Sequence, residues 1–131
     1  MRHFCIVLLS IILFSCSNDD DNNAQSSTIA GAWNLVKVSG GVTGVDEDIE
    51  KGLVVWDFNE TTGMVTINNT ITDSSFNVLL DSGTYTYSIS APADADILIV
   101  NEIVVGGINL ENTSFTVEET FEDGFSFRFE R

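Results

Sequence analysis

Hydrophobic and polar residues alternate with a period of two through most of the chain after about residue 29, and no stripe of helical period interrupts them. Gly, Asn, Asp and Ser separate the short apolar segments. About eight or nine short strands at this spacing are typical of an antiparallel sandwich or barrel. The predicted strands are 32–38, 53–58, 64–69, 76–80, 84–90, 97–105, 108–110, 114–121 and 125–130.

The register of two hairpins follows from the requirement that paired strands place their apolar residues on one face. An up-and-down meander is the simplest topology for such hairpins, and closing it into a barrel removes its edges. A four-residue loop after Asn59 and a two-residue turn at Ser82-Gly83 satisfy the requirement best. The pairs that these turns predict are Phe58–Val65, Trp56–Ile67, Leu80–Tyr85, Val78–Tyr87 and Phe76–Ile89.

The last hairpin is expected to turn through a three-residue loop, 122–124. Such loops combine a type I turn with a bulge, which assigns Gly124 a left-handed backbone and a structural role. The pairs expected from this loop are Phe121–Phe125, Val117–Phe129 and, on the outer face, Glu118–Arg128.

The start of the chain has the features of a secretion signal. Basic Arg2 precedes an apolar run over 4–14 that is too short to span a bilayer comfortably. The run ends in Leu13-Phe14-Ser15-Cys16, which resembles the lipobox of bacterial lipoproteins. The resemblance implies that 1–15 are a signal peptide and that Cys16 is acylated, anchoring the protein to a membrane through its lipid.

The residues after Cys16 form a polar, acidic tether over 16–28, followed by one domain over 29–131. Aspartates 19–21 resemble the surface-export signal of lipoproteins from the Bacteroidota, whereas a plain solvated linker is the alternative. The resemblance implies an outer-membrane lipoprotein on the cell surface, with the periplasmic face as the other location.

Charge and composition exclude several functional classes. The full chain carries a formal charge of −15, and removal of 1–15 leaves four basic against twenty acidic residues, a difference of −16. This balance disfavours nucleic acid and docking on anionic membranes through a basic patch. Because His3 and Cys5 leave with the signal, the mature chain lacks imidazole, and its one thiol is the anchor. Catalysis that depends on His or Cys is therefore excluded, and no catalytic residue, metal or cofactor is predicted.

The segment Gly31-Ala32-Trp33 on the first strand and an Arg at the end of the last resemble the lipocalin signature. Together with the lipoprotein signal and the segment 82–87, the pattern is similar to lipocalin-like lipoproteins of the Bacteroidota. The resemblance implies an all-β fold, a small antiparallel up-and-down β-barrel of about eight strands, and binding of a small apolar or amphipathic molecule. The domain is shorter than the larger secreted lipocalins and has neither a helix after the last strand nor a disulfide.

Trp33 and Arg131 are expected to meet, since the first strand of a closed meander begins beside the end of the last. Successive residues of a strand point to opposite faces, and by this alternation Trp33 and Arg131 both face the interior. The guanidinium can therefore stack on the indole and close one end of the barrel. The family role is therefore carried to Arg131, with Gly31 and Trp33 as further structural residues, because the parity of Arg128 places it outside. A frayed C-terminus is the alternative for Arg131.

Parity also suggests which side chains face the interior. Lys37 and Glu119 share the parity of inward apolar residues, which allows them to pair with each other or one of them to meet a polar head group. The preferred interpretation is that Lys37 extends into water at the rim and that Glu119 lies in water at a strand end, because parity errs there. The full set of candidate ligand-binding residues is Trp33, Lys37, Trp56, Tyr85, Tyr87, Glu119 and Phe127.

An acidic segment over 42–51 is expected to form a lid at the open end of the barrel. Its carboxylates, on Asp46, Glu47, Asp48 and Glu50, lack the spacing of an EF-hand loop, so a solvated loop is preferred over a Ca²⁺ site. Three functions follow. The leading one is non-catalytic binding of an apolar or amphipathic ligand, the second is an adhesion or interaction module with a filled core that binds protein or glycan, and the third is a metal-dependent binder.

Overall fold

A computed structural model describes residues 28–73, 79–91 and 95–131. This part of the chain forms nine β-strands. Within these residues, no helix is long and apolar enough to cross a membrane. The signal sequence, Cys16, and the residues Phe76 and Val78 lie outside the described residues. The strands are β1 (Gly31–Gly40), β2 (Val45–Asp48), β3 (Val54–Asn59), β4 (Met64–Asn69), β5 (Gly83–Ser90), β6 (Asp96–Val100), β7 (Ile103–Leu110), β8 (Ser114–Glu118) and β9 (Phe125–Glu130).

Eight of these strands close into an antiparallel barrel, which confirms the predicted fold class. The strands from β3 to β9 pair in chain order, and β1 joins β3 on one edge and β9 on the other. The remaining strand, β2, pairs with the second half of β1, where Gly40 lies opposite Val45. Neighbouring strands are antiparallel throughout, so the predicted up-and-down meander is the observed topology.

The β3–β4 hairpin has the predicted register. Phe58 pairs with Val65 and Trp56 with Ile67, across a four-residue loop closed by the bond from the Gly63 amide to the Asn59 carbonyl, 2.9 Å. The alternation of inward apolar and outward polar residues is regular in both strands, so parity alone determines the alignment.

The predicted register of the last hairpin is wrong by two residues. Strand β8 ends at Glu118, and the observed pairs across β8 and β9 are Phe115–Phe129, Thr116–Arg128, Val117–Phe127 and Glu118–Ser126. A slip of two keeps every side chain on its predicted face, so parity cannot detect it. The longer loop also leaves Phe121, expected inside, 62% exposed.

The backbone of this loop differs from the expectation as well. Asp123, not Gly124, has the left-handed backbone, with φ of 61°. Gly124 has a structural role for another reason, since a side chain there would lie 2.8 Å from the Glu119 Cβ. An Asp tolerates this conformation better than most residues, which is why the glycine was not needed for it.

Two further expectations about strands are wrong. Tyr85 pairs with Val65 of β4, not with Leu80, so the Ser82-Gly83 turn does not join paired strands in the predicted register. The predicted strand 97–105 divides into β6 and β7 at Asn101 and Glu102, both with positive φ. No glycine marks this turn, whereas Gly106 and Gly107, which separate the predicted strands 97–105 and 108–110, lie inside β7. A side chain on Gly106 would lie 2.3 Å from the Glu118 carbonyl oxygen, so the glycine permits close approach of β8.

A β-bulge in β1 reverses the parity on which the position of Lys37 was predicted. Leu35 pairs with Phe129 but Lys37 pairs with Arg128, which leaves Val36 as the extra residue. Trp33 and Leu35 are buried before the bulge and Val38 after it. Lys37 consequently faces outward, where alternation from Trp33 had placed it inside.

Candidate ligand-binding site

One end of the barrel, here called the closed end, comprises the segment 28–31, the connections 60–63 and 111–113, and Arg131. Trp33 is fully buried there and its indole Nε1 donates to the Ile29 carbonyl at 2.6 Å. The Arg131 guanidinium carbon lies 3.9 Å from the centre of the Trp33 ring, and its Nη2 donates to the Thr28 carbonyl at 2.6 Å. Gly31 has φ of 99°, which an L side chain rarely adopts. The structure thus brings together the three residues to which the sequence assigned closure.

Aromatic side chains fill the barrel beside this closure. The rings of Phe115 and Phe129 stack with centres 4.5 Å apart, and Trp33 meets Phe115 edge-on at 4.9 Å. Trp56 lies 5.1 Å from Phe129 and Phe58 lies 4.9 Å from Tyr87. Apart from Tyr87, these rings are at most 2% exposed, so this half of the interior is a packed core.

The opposite end, here called the mouth, is formed by the β1–β2 tip at 41–44, the segments 70–73 and 79–82 between β4 and β5, the Asn101–Glu102 turn and the β8–β9 loop at 119–124. Its buried lining is mainly aliphatic, with Val38, Val54, Ile67 and Val105, and it includes the ring of Phe127, which pairs with Val38. The apolar residues above this lining pack against the core but remain partly accessible to solvent. They are Val45, Ile71, Leu79, Leu80 and Phe125. This end therefore has fewer aromatic rings inside than the closed end, and it has accessible apolar surface outside.

The aromatic candidates for ligand binding divide between core and mouth. Trp33, Trp56 and Phe127 are at most 1% exposed and belong to the core. Tyr85 is half-buried on β5, and its hydroxyl donates to the Asp81 carbonyl at 3.1 Å, beside the connection over the mouth. Burial raises the pKa of the half-buried Tyr87, and the Glu60 carboxylate adds to the shift.

The two charged candidates do not meet. Lys37 Nζ lies 2.7 Å from Asp46 Oδ1 and 3.2 Å from Asp48 Oδ1 on the outside of the β1–β2 hairpin, which corrects its predicted inward position. These carboxylates raise the pKa of Lys37 through hydrogen bonds. Glu119 Oε2 instead accepts the Phe125 amide at 2.9 Å and so fixes the β8–β9 loop. The pairing of Lys37 with Glu119, which the sequence left open, does not form, because the bulge at Val36 turns the lysine outward.

The acidic segment that was expected to form a loop over the mouth is largely the strand β2. Its residues Asp46, Glu47 and Asp48 are exposed along the barrel wall. Within the described ranges, no three Asp, Glu, His or Cys side chains converge as a metal site.

Every Lys and Arg in the described residues lies near the seam between β1 and β9. Lys51 contacts Glu130 Oε2 at 3.1 Å, and Arg128 contacts Glu130 Oε1 at 3.2 Å. Lys37 and Arg131 complete the set, and both are engaged as described above. No lysine or arginine occurs between 52 and 127, so the chain supplies no such cation on the walls and loops that surround most of the mouth.

Sequence reasoning missed several residues of the mouth. Ile71 and Val105 were not named as site residues, and Leu79 and Leu80 were expected in a strand. The sequence signal for these residues is that they are apolar in connections and strand ends that are otherwise polar. Which part of the barrel they pack against depends on long-range contacts that the sequence does not give.

Comparisons with known proteins add one structural likeness. No family model matches the chain, and no curated protein matches its sequence. Among solved structures, a lipocalin-like protein from Bacteroides uniformis ATCC 8492 is similar, with a TM-score of 0.48 and 16% sequence identity. The alignment covers 78% of this chain and 96% of that chain.

Proposed function

We propose that this protein is a lipid-anchored lipoprotein of the outer membrane, and that its barrel binds a small apolar or amphipathic molecule at the mouth without catalysis. The observation that carries the proposal is the difference between the two ends. Large rings pack the closed half, whereas mainly aliphatic residues, together with Phe127, line the other half beneath partly exposed Leu79, Leu80 and Phe125. Small-molecule sites are typically apolar clefts of this kind at the mouths of barrels.

Burial of a modest apolar area of the ligand is enough for moderate affinity of the protein for that ligand. At about 25 cal/mol per Å², burial of roughly 200 Å² of apolar ligand surface contributes about 5 kcal/mol before the cost of immobilisation. The ligand is expected to be neutral or cationic. Lys37, the one cation that was expected to meet an anionic head group, faces the outside of the β1–β2 hairpin.

Tryptophan fluorescence of the mature chain carrying Cys16→Ser, titrated with three amphiphiles of equal chain length, tests this function. A monoacylglycerol and an alkyltrimethylammonium should bind more tightly than a fatty acid, because the acidic surface repels the carboxylate at low salt. Lys37→Gln should leave this order unchanged, since Lys37 lies outside. Equal responses, no response, or preference for the fatty acid would each contradict the proposed selectivity.

Membrane anchoring has its own test. Metabolic labelling with a palmitate analogue should tag the wild type and Cys5→Ser, but not Cys16→Ser. Label that persists in Cys16→Ser, or that disappears with Cys5→Ser alone, would contradict acylation at Cys16.

The second candidate function is a surface interaction module with a filled core. The observation in its favour is that the rings of Trp33, Trp56, Phe115 and Phe129 pack against one another inside the barrel and are at most 1% exposed. A clean protein mass after gentle extraction from membranes would favour this candidate over the first.

A further inference from the structure

The outer surface of β6 and β7 carries neighbouring apolar residues, whereas most of the barrel wall is polar. A strand with one solvated face should alternate apolar and polar residues, and β5 does so, with Thr84, Thr86, Ser88 and Ser90 outside. In β6, by contrast, Ile97 and Ile99 occupy the outer positions, and Leu98 and Val100 are fully buried inside. A strand that is apolar on both faces is typical of a sheet covered on both sides.

The apolar surface continues from β6 onto β7. Val104 pairs with Ile99 and therefore shares its outer face, where Val104 is 54% exposed. Ile97 and Ile99 are half-buried on this face, and the three residues Ile97, Ile99 and Val104 are here called the outer apolar patch. Contiguous apolar residues on a surface mark interaction sites more often than isolated ones do.

A pocket with one carboxylate lies on each side of the patch. On the β5 side, Glu102 lines a pocket of about 210 Å³ together with Thr86, Ser88 and Ile99. On the β8 side, Glu118 lines a pocket of about 220 Å³ beside Gly107, whose missing side chain leaves the hollow. Both glutamates are exposed, and the absence of Lys and Arg from 52–127 leaves them without a basic side chain from these strands.

We propose that the outer apolar patch docks a basic amphipathic segment of another protein, with its apolar side chains on Ile99 and Val104 and its cations at Glu102 and Glu118. Charge complementarity selects this occupant. An anionic membrane surface and a second copy of this chain would both bring negative charge against the glutamates. The chain's own tether is polar and carries three aspartates at 19–21, so it has neither the apolar residues nor the charge to cover the patch.

The geometry favours a peptide segment over a small molecule. The exposed apolar residues spread along two strands, and the pockets that flank them are separate, so no one concavity would bury a small amphiphile. An extended or helical segment spans such a surface and inserts individual side chains. The proposal does not rest on ligand binding at the mouth, although Glu102 lies in a turn that borders it.

Fluorescence anisotropy of a labelled probe peptide that alternates Lys and Leu, titrated with the mature chain carrying Cys16→Ser, tests the proposal. Ile99→Thr combined with Val104→Thr should weaken binding by roughly tenfold or more at both low and high salt. Val55→Thr, on the outer face of β3, is the matched apolar control and should have no effect. Thr has high β-propensity, so folding is expected to survive, and Val104→Thr alone at a 54% exposed position provides a milder variant.

A second pair of variants tests the charges. Glu102→Gln combined with Glu118→Gln should weaken binding at low salt and lose its effect at high salt. Glu50→Gln combined with Asp57→Asn removes the same charge elsewhere and should change affinity much less. Equal losses from both pairs would show non-specific attraction to an acidic protein and overturn the proposal. Unchanged affinity in Ile99→Thr/Val104→Thr, or self-association of the wild type that those substitutions abolish, would also overturn it.

Discussion

The closed end and the mouth of this barrel use the same meander differently. At the closed end, Trp33 is buried beneath the Arg131 guanidinium and packs against Phe115, so ring stacking and hydrogen bonds combine in one place. At the mouth, mainly aliphatic side chains form the lining and half-buried residues such as Leu80 and Phe125 cover it. The comparison indicates that close packing of aromatic rings is concentrated at one end of the barrel.

This division has a physical basis in side-chain size and packing. Close-packed aromatic rings gain from both burial and specific geometry, and removing one leaves a cavity that rigid neighbours cannot fill. Half-buried aliphatic residues in connections lose less packing energy when they move, and such movement is what entry of a ligand requires.

The largest expected effect comes from the same substitution at the two ends. Phe129→Ala removes a ring that is fully buried and stacked on Phe115, and should lower the free energy of unfolding by about 3–5 kcal/mol. Phe125→Ala, in the half-buried position at the mouth, should cost only about 1–2 kcal/mol. Denaturant unfolding followed by circular dichroism measures both, and equal losses would break the distinction between the ends.

A smaller effect is expected from the cation at the closed end. Arg131→Ala should cost about 1 kcal/mol through loss of the stacking on Trp33. Arg128→Ala, which breaks only an exposed ion pair with Glu130, should cost less than about 0.5 kcal/mol. A double-mutant cycle of Arg131→Ala with Trp33→Phe isolates the pair, and a coupling energy of zero would mean that the closure contributes nothing.

The smallest effect concerns the β1–β2 hairpin at the mouth. Asp46 and Asp48 raise the pKa of Lys37 above its ordinary value of 10.5. The contribution of these ion pairs to the stability of the folded state is therefore fully present below that pH. The contribution is lost as the pH rises through the raised value. Wild type should therefore melt slightly above Lys37→Gln at neutral pH, and the two should converge in strong alkali. A difference that grows with alkaline pH would have the wrong sign.

Parity along the sequence was sufficient where strands are regular and failed at specific irregularities. The β3–β4 register could be predicted because Trp56 and Phe58 alternate cleanly with outward residues. The bulge at Val36 has no mark in the sequence, and it alone turned Lys37 from the interior to the outer wall. The turn at Asn101 and Glu102 likewise lacks the glycine on which turn prediction relies.

The closure at Trp33 could be predicted for a different reason. Any closed meander brings the start of its first strand beside the end of its last, so Trp33 and Arg131 meet by topology and not by local pattern. The mouth has no such constraint. Residues such as Leu79 and Ile71 come from a connection whose path depends on the packing of the whole barrel, and sequence alone does not give that path.

Native mass spectrometry of the protein released gently from its membranes tests the central claim, that the mouth and not the closed end holds a ligand. The wild type should carry a bound neutral or cationic amphiphile in addition to its anchor. Leu80→Asp, which places a carboxylate among the apolar residues of the mouth, should lose this adduct, whereas Leu110→Asp, an equally half-buried position toward the closed end, should keep it. A wild type without adduct, or an adduct that both variants retain or lose alike, would contradict the account.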